Sequence, residues 1–233
     1  MKKTKEKCNG KDCFLCRWSE PEWLPFIAEN KINRHVKKGE AIFREGDKIE
    51  GIFFLFAGKV KVFKRWTDEK ELIIRFAKKG EVLGHRGFGH TGIYPVSATA
   101  LEETSLCFVP DTFFQSSLKM NPSLTYQLML FYSAELQDAE LRMRDLVHMD
   151  TKGKISDALL MIKHQFGNTK EGFLNIHLSR QDLASFVGTS YETVFRIIQE
   201  LTAEKSIQLE GKQIRILQEK KLKSYTLPSV RKA

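Results

Sequence analysis

Between residues 32 and 110 the apolar positions fall in short runs separated by glycine. KKGEAIFREGDKIEGIFFLFAGKVKVFKR leads into ELIIRFAKKGEVLGHRGF and then VSATALEETSLCFVP. Runs such as VKVFK and LIIRF are rich in branched and aromatic residues, which suit a pleated, half-buried surface. Glycine-bearing turns recur at strand-plus-turn spacing. The pattern predicts a small antiparallel barrel or sandwich.

At Asn121-Pro122 the period changes. Proline fits the first helical position and Asn is a good N-cap, so a helix is expected to start here. Met129, Tyr132, Leu136, Ala139, Met143 and Leu146 then follow at alternating spacings of 3 and 4. That is a heptad seam, flanked by charged residues such as Glu135, Asp138, Glu140 and Arg142. Leu124, Leu128 and Phe131 form a second apolar stripe on the same helix, suited to packing on the barrel. Two stripes require two neighbours. The seam is assigned to the same helix of a second copy, which predicts a two-fold dimer.

From residue 151 helical and turn text alternate. KISDALLMIKHQF is amphipathic and ends near Gly167-Asn168. Ser179-Arg180-Gln181-Asp182 has the form of a capping box opening a helix that stops at Gly188. Ser190 caps the next helix, YETVFRIIQELTAE, and IQLEGKQIRIL reads as a hairpin turning at Glu210-Gly211. Two short helices about a glycine turn, then a hairpin, make a winged helix-turn-helix.

The second of those helices carries candidate chemistry. Val194, Ile197, Ile198 and Leu201 share one face; Tyr191, Glu192, Phe195, Arg196 and Gln199 share the other. Arginine offers two parallel donors that match guanine O6 and N7, and glutamate can accept from the cytosine amino group. Phe195 suits a thymine methyl. The competing reading makes Glu192 and Arg196 a plain surface ion pair. Their place between a capped helix and a basic hairpin favours base reading.

Composition sharpens this picture. The chain has 233 residues and a net charge of +9, and residues 151–233 hold 14 Lys and Arg against 8 Asp and Glu. A basic C-terminal third suits a polyanionic partner. The densest apolar run, GIFFLFAG, is far shorter than the roughly 18 residues of a membrane span. No signal-peptide pattern follows the basic N-terminus, so a cytoplasmic protein is expected. In a reducing compartment its four cysteines are expected to be thiols or metal ligands rather than a disulfide framework.

GEAIFREGD, FAGKVKVF, GEVLG, ATALEETSLCFVP and above all LSRQDLASFVGTSYETVFRII resemble the CRP/FNR family of bacterial transcription regulators, over essentially the whole chain. The resemblance implies an α+β fold: a cyclic-nucleotide-binding-type β-roll, a long dimerisation helix and a C-terminal winged helix-turn-helix. The corresponding boundaries are 1–20 for a cysteine-containing tail, 21–120 for the roll, 121–150 for the helix and 151–233 for the DNA-binding domain. The family's Glu-x-x-x-Arg recognition pair falls on Glu192 and Arg196. Ser179, Arg180 and Gln181 fall at the backbone-contacting start of the preceding helix. The resemblance further implies a two-fold operator and contact with RNA polymerase. Two other classes stay open: a regulator whose roll holds another small ligand, and a DNA-architectural protein with no sensing role.

What the roll senses is less directly written. The family's cyclic-AMP members hold the phosphate with an Arg-Ser pair, because a buried anion needs a compensating cation. That place falls on Tyr94-Pro95, and Arg86 is out of register, so no cyclic nucleotide is expected. Some family members bind haem, and His85 and His90 flank the same loop, but histidines of such loops are more often structural. The two do not make the histidine–carboxylate cluster of a barrel enzyme, so no enzyme is expected. Cys8, Cys13 and Cys16 in CNGKDCFLC, with Cys107 far away, form C-x4-C-x2-C plus a remote fourth cysteine, a known iron–sulfur spacing. Zinc, or no metal with Cys107 as a small core residue, are the alternatives. The FNR branch carries an oxygen-labile [4Fe–4S] cluster on three N-terminal cysteines and one in the roll. Its trio is spaced C-x2-C-x5-C, unlike this one, and its distant cysteine lies in a segment like that around Cys107.

Overall fold

The computed structural model describes residues 2–3, 10, 12–67, 70–89 and 92–226. The chain divides into two compact units, Met1–Glu135 and Leu136–Ala233.

The first unit begins with β1 (Lys2–Lys3), α1 (Phe14–Trp18), a 3-10 turn at Pro21–Trp23, and α2 (Leu24–Asn30). Eight strands follow: β2 (Ile32–Val36), β3 (Ala41–Phe43), β4 (Gly51–Ala57), β5 (Val60–Arg65), β6 (Glu71–Ala77), β7 (Val82–Leu83), β8 (Ser97–Ala100) and β9 (Thr104–Pro110). They form two antiparallel sheets, ordered β1-β2-β9-β4-β7 and β3-β8-β5-β6. The expected sandwich of short strands is therefore present. Its interior takes side chains from both sheets, among them Val36, Phe43, Phe53, Val62, Ala98 and Phe108, all nearly inaccessible. Burial of this apolar area is the main source of the unit's stability.

A second cluster covers the outer face of the larger sheet. It joins Ile52, Phe54 and Val109 of the strands to Cys13, Leu15, Ile27, Phe114, Leu124 and Leu128. The N-terminal segment is thus part of this unit: Leu15 is 1% exposed, and Asp12 pairs with Lys79 at 2.7 Å. Within the stretch 1–20 expected as a tail, Cys13, Leu15, Cys16 and Trp18 pack into this cluster. Leu124 and Leu128 lie in the cluster with Phe131 against it, as the second stripe requires.

α3 (Asp111–Met120), which the sequence pattern does not single out, precedes α4 (Pro122–His148). Asn121 does not serve as the simple N-cap expected. It is buried, its Oδ1 accepts from the Glu20 backbone N–H at 2.8 Å, and its Nδ2 donates to the Ser117 carbonyl at 2.7 Å. The side chain closes α3 onto the N-terminal segment.

The second unit contains the last turns of α4, α5 (Thr151–Phe166), α6 (Arg180–Val187), α7 (Tyr191–Ala203), β10 (Ile207–Glu210), β11 (Gln213–Ile216) and α8 (Glu219–Ser224). Its core joins Ile155, Leu159 and Ile162 to Leu183, Val194, Ile198, Leu201 and Ile207, each 2% exposed or less. The hairpin pairs Glu210 with Gln213, so its loop is Gly211-Lys212, one residue later than expected. Gly211, at φ +57°, supplies the left-handed conformation that the loop needs. No helix among the described residues is long and apolar enough to cross a membrane.

Candidate nucleic-acid interface and signal-receiving residues

α6 is set by its ends. The Ser179 Oγ accepts from the Asp182 N–H at 2.9 Å, and the Asp182 carboxylate accepts from the Ser179 N–H at 3.1 Å. This is the expected capping box, which satisfies two backbone donors that the first helical turn leaves over. Gly188 ends the helix at φ +69°, a conformation that strains any residue with a Cβ, and Thr189 N–H closes on the Ala184 carbonyl. At the start of α6, Gln181 is exposed while Ser179 and Arg180 are half-buried. Burial works against the positive charge of Arg180, a cost that a phosphate oxygen would offset.

Ser190 then caps α7 by accepting from the Thr193 N–H at 3.2 Å. Val194, Ile197, Ile198 and Leu201 are buried beneath the helix, which leaves the opposite face outward. That face brings Tyr191, Glu192, Phe195, Arg196 and Gln199 together, all exposed. Tyr191 is 45% and Phe195 51% accessible, an unusual outlay of aromatic surface for an unliganded helix. Glu192 does not pair with Arg196. The nearby backbone N–H of Glu192 itself, with Ser190 beside it, holds its carboxylate below the usual range. Arg196 instead donates from Nη1 to Glu200 Oε1 at 2.6 Å, one turn further along. The sequence reading missed Glu200. Its only signal was an acidic residue four places after an arginine.

On α4 the six seam positions separate. Met129, Leu136 and Met143 are exposed by 57%, 61% and 59%. Tyr132 is half-buried with its hydroxyl donating to the His85 carbonyl, and burial pushes that hydroxyl's pKa up to about 12. Ala139 and Leu146 are also half-buried, and Leu146 Cδ2 lies close enough to touch a Cβ placed on Gly188. Tyr126 and Val147, exposed by 55% and 76%, extend the open stripe at either end.

In the roll, Tyr94 occupies the core. It is 3% exposed and stacked on Phe43 at 4.3 Å, and its hydroxyl donates to the Gly51 carbonyl at 2.7 Å. Burial raises its pKa, so the ring stays a neutral, hydrogen-bonded core residue. A Cβ on Gly84 would lie 3.1 Å from the Tyr94 ring, at a φ of +83°. Neither Tyr94 nor Pro95 brings a cation there. Arg86 is held elsewhere, its Nε and Nη2 donating to Glu135 Oε2 at 3.2 and 3.1 Å. His85 is 2% exposed and bonds the same carboxylate.

Cys13 and Cys107 are 6% and 3% exposed and belong to one apolar cluster, with Cys16 packed against it. The Cys107 thiol donates to Asn33 Oδ1 at 3.4 Å. The structure thus brings Cys107 into the same region of the first unit as Cys13 and Cys16, which are close neighbours in sequence. Among the described residues, however, no three His, Cys, Asp or Glu side chains converge into a group able to hold a metal ion. Cys8 and His90 lie outside the described residues.

Residues 33–121 match the cyclic nucleotide-binding domain model, and residues 153–225 match the Crp-like helix-turn-helix domain model. Over 191 residues the chain is 31% identical to the transcriptional activator protein FnrA of Stutzerimonas stutzeri, covering 80% of this chain and 77% of that protein. It is 25% identical over 205 residues to a CRP-like cAMP-activated global transcriptional regulator of Mycobacterium tuberculosis, covering 87% and 92%. The solved structure of FixK2 from Bradyrhizobium japonicum superposes with a TM-score of 0.76 at 21% identity, over 86% of this chain and 99% of that one. The first two of these relatives are, by name, regulators of transcription.

Proposed function

The chain belongs to the CRP/FNR family of transcription regulators with a helix-turn-helix DNA-binding domain, and from that premise we propose that it binds a two-fold operator as a homodimer and meets RNA polymerase there. The observation that carries the reading is the outward face of α7. A helix with four buried aliphatic residues presents Tyr191, Glu192, Phe195 and Arg196 side by side, directly after a capped α6. In this arrangement Arg196 reads guanine and Glu192 a cytosine amino group, with Phe195 against a thymine methyl. Ser179, Arg180 and Gln181 hold the phosphates.

The dimer runs along α4 on Met129, Leu136 and Met143, three large apolar side chains one heptad apart and all exposed. Tyr126 and Val147 continue that column. Tyr132 and Leu146 support the seam from the side, since each is turned toward a neighbour in its own chain. Selection from a random-sequence DNA pool tests the whole reading. The expected product is a palindrome with half-sites about one helical turn apart. Recovery of no preferred sequence, with equal affinity for random DNA, would instead mark an architectural protein.

The signal enters through the first unit. Full packing of Tyr94 where a phosphate would need a cation argues for an effector other than a cyclic nucleotide. A second reading is favoured by the burial of Cys13 and Cys107 in one cluster: an oxygen- or redox-responsive [4Fe–4S] centre on Cys8, Cys13, Cys16 and Cys107, which when bound would supply oxygen-labile redox chemistry. The described sulfurs as arranged do not form a complete donor set, so ligation would require the N-terminal segment to rearrange. Anaerobic purification followed by iron and sulfide analysis decides it. Iron and visible absorbance lost equally in C13S and C107S support the cluster. Colourless, iron-free protein after reconstitution leaves a regulator with another effector, and zinc in its place makes the cysteines a structural clip.

A further inference from the structure

We propose that Glu200 is a positioning residue for DNA reading, holding Arg196 so that one edge of its guanidinium faces the bases. The proposal rests on the base-reading role given to Arg196 above. Arg196 uses Nη1 to reach Glu200 Oε1, at 2.6 Å. Among the described residues its Nε and Nη2 donors have no such carboxylate. Those two N–H groups are parallel and form the side edge that matches guanine O6 and N7.

The neighbours explain why the arginine is held from one side only. The ion pair of Arg196 is made with Glu200, four places after it, and not with Glu192, four places before it. Glu200 follows Arg196 on the same helical stripe, one turn towards the C-terminus. It is less exposed than its partner, 39% against 64%, so its carboxylate is the more fixed member of the pair. An exposed ion pair of this kind adds little to stability. Its value lies in the guanidinium, which otherwise samples many rotamers and must be ordered each time it meets a base.

The arrangement has a second consequence. A carboxylate on the reading face repels phosphate, so it weakens binding to every sequence. Only where a guanine accepts from the presented edge is that repulsion outweighed. Glu200 therefore raises the ratio of cognate to random binding while lowering random binding itself, a division of roles typical of specificity devices.

The test measures fluorescence anisotropy of full-length protein on the selected operator and on a random duplex of equal length, at fixed salt. Wild type, R196A, E200Q and the double variant are compared by the ratio of the two affinities. E200Q is expected to lower that ratio about 3- to 10-fold per half-site, the weight of ordering one rotamer-rich side chain. It should also bind random DNA more tightly than wild type. In the R196A background E200Q should leave the ratio unchanged, which a merely structural role would not produce. An E200Q ratio at or above wild type overturns the proposal, as does an equal fall with and without Arg196. An R196A protein that keeps the wild-type ratio overturns the base-reading role itself, and the positioning role with it.

Discussion

His85 and Glu135, fifty residues apart, meet at 2.9 Å between Nε2 and Oε2, with the imidazole almost wholly buried. The carboxylate also receives Arg86, and Arg75 Nε lies 2.9 Å from its Oε1. Burial, together with the two guanidinium groups, pushes the His85 pKa down, so the ring is neutral and donates an N–H to the carboxylate. His85 and the arginines hold Glu135 ionised despite its own burial, with a pKa lowered to about 2. One carboxylate of α4 thus gathers β6 and the turn after β7.

Stability of the first unit should fall in acid in two steps. His85 is neutral when folded and has an ordinary value of 6.5 when unfolded. Protonation therefore favours the unfolded chain as pH drops below about 6.5. Glu135 contributes fully above its ordinary 4.5 and loses that contribution as pH falls from there toward about 2. All three tryptophans, Trp18, Trp23 and Trp66, lie in this unit, so their fluorescence in urea titrations follows it selectively. Glu135→Gln should cost about 3 kcal/mol at neutral pH, because half-buried Arg86 loses its counter-charge and Arg75 is left with Glu81 alone. It should also abolish the lower step; a lower step that survives in this variant would assign it to other carboxylates.

Tyr94 should behave as core. Tyr94→Phe keeps the stack on Phe43 and leaves the Gly51 carbonyl without its donor, for a loss of about 1 kcal/mol. Tyr94→Ala should cost about 3–5 kcal/mol. A Tyr94→Ala protein as stable as wild type, by the same fluorescence, would mean that this position lines open space.

Met143→Glu should abolish dimers in sedimentation velocity, since it sets like charges against each other across an apolar seam. The side chain is exposed within its own chain, so circular dichroism should not change. Tyr132→Phe removes only a hydroxyl that serves His85 and should remain dimeric. Intact dimers of Met143→Glu would move the interface off this stripe.

If Arg180 holds a phosphate as proposed, Arg180→Ala should weaken operator and random DNA alike and lower the salt slope by about 1 per half-site. Arg196→Ala should cost about 1–3 kcal/mol per half-site on the operator and little on random DNA. Reversed behaviour of the two variants would exchange their roles.

Much of the second unit could be read directly from the chain. Ser179, Asp182, Gly188 and Ser190 act within a few residues of themselves, so their local chemistry is already their structural role. The buried and exposed faces of α7 follow from one helical period. Asn121 misled for the opposite reason: its local pattern is that of an N-cap, but the Glu20 N–H, 101 residues away, claims its side chain. The hairpin loop shifted by one residue because register depends on the pairing of Glu210 with Gln213, which no single strand contains.

The sequence alone determined the order of elements, the apolar faces of α4 and α7, the capped ends of α6 and α7 and the side chains offered outward, because each depends on neighbours three or four places away. Tertiary structure decided the rest. It drew Cys13 and Cys107 into one cluster, filled the roll with Tyr94, turned Tyr132 to His85 and joined Glu135 to three cationic or imidazole groups. Contacts of this kind depend on which surfaces burial brings together and which partners are already engaged, and neither is written in a local pattern.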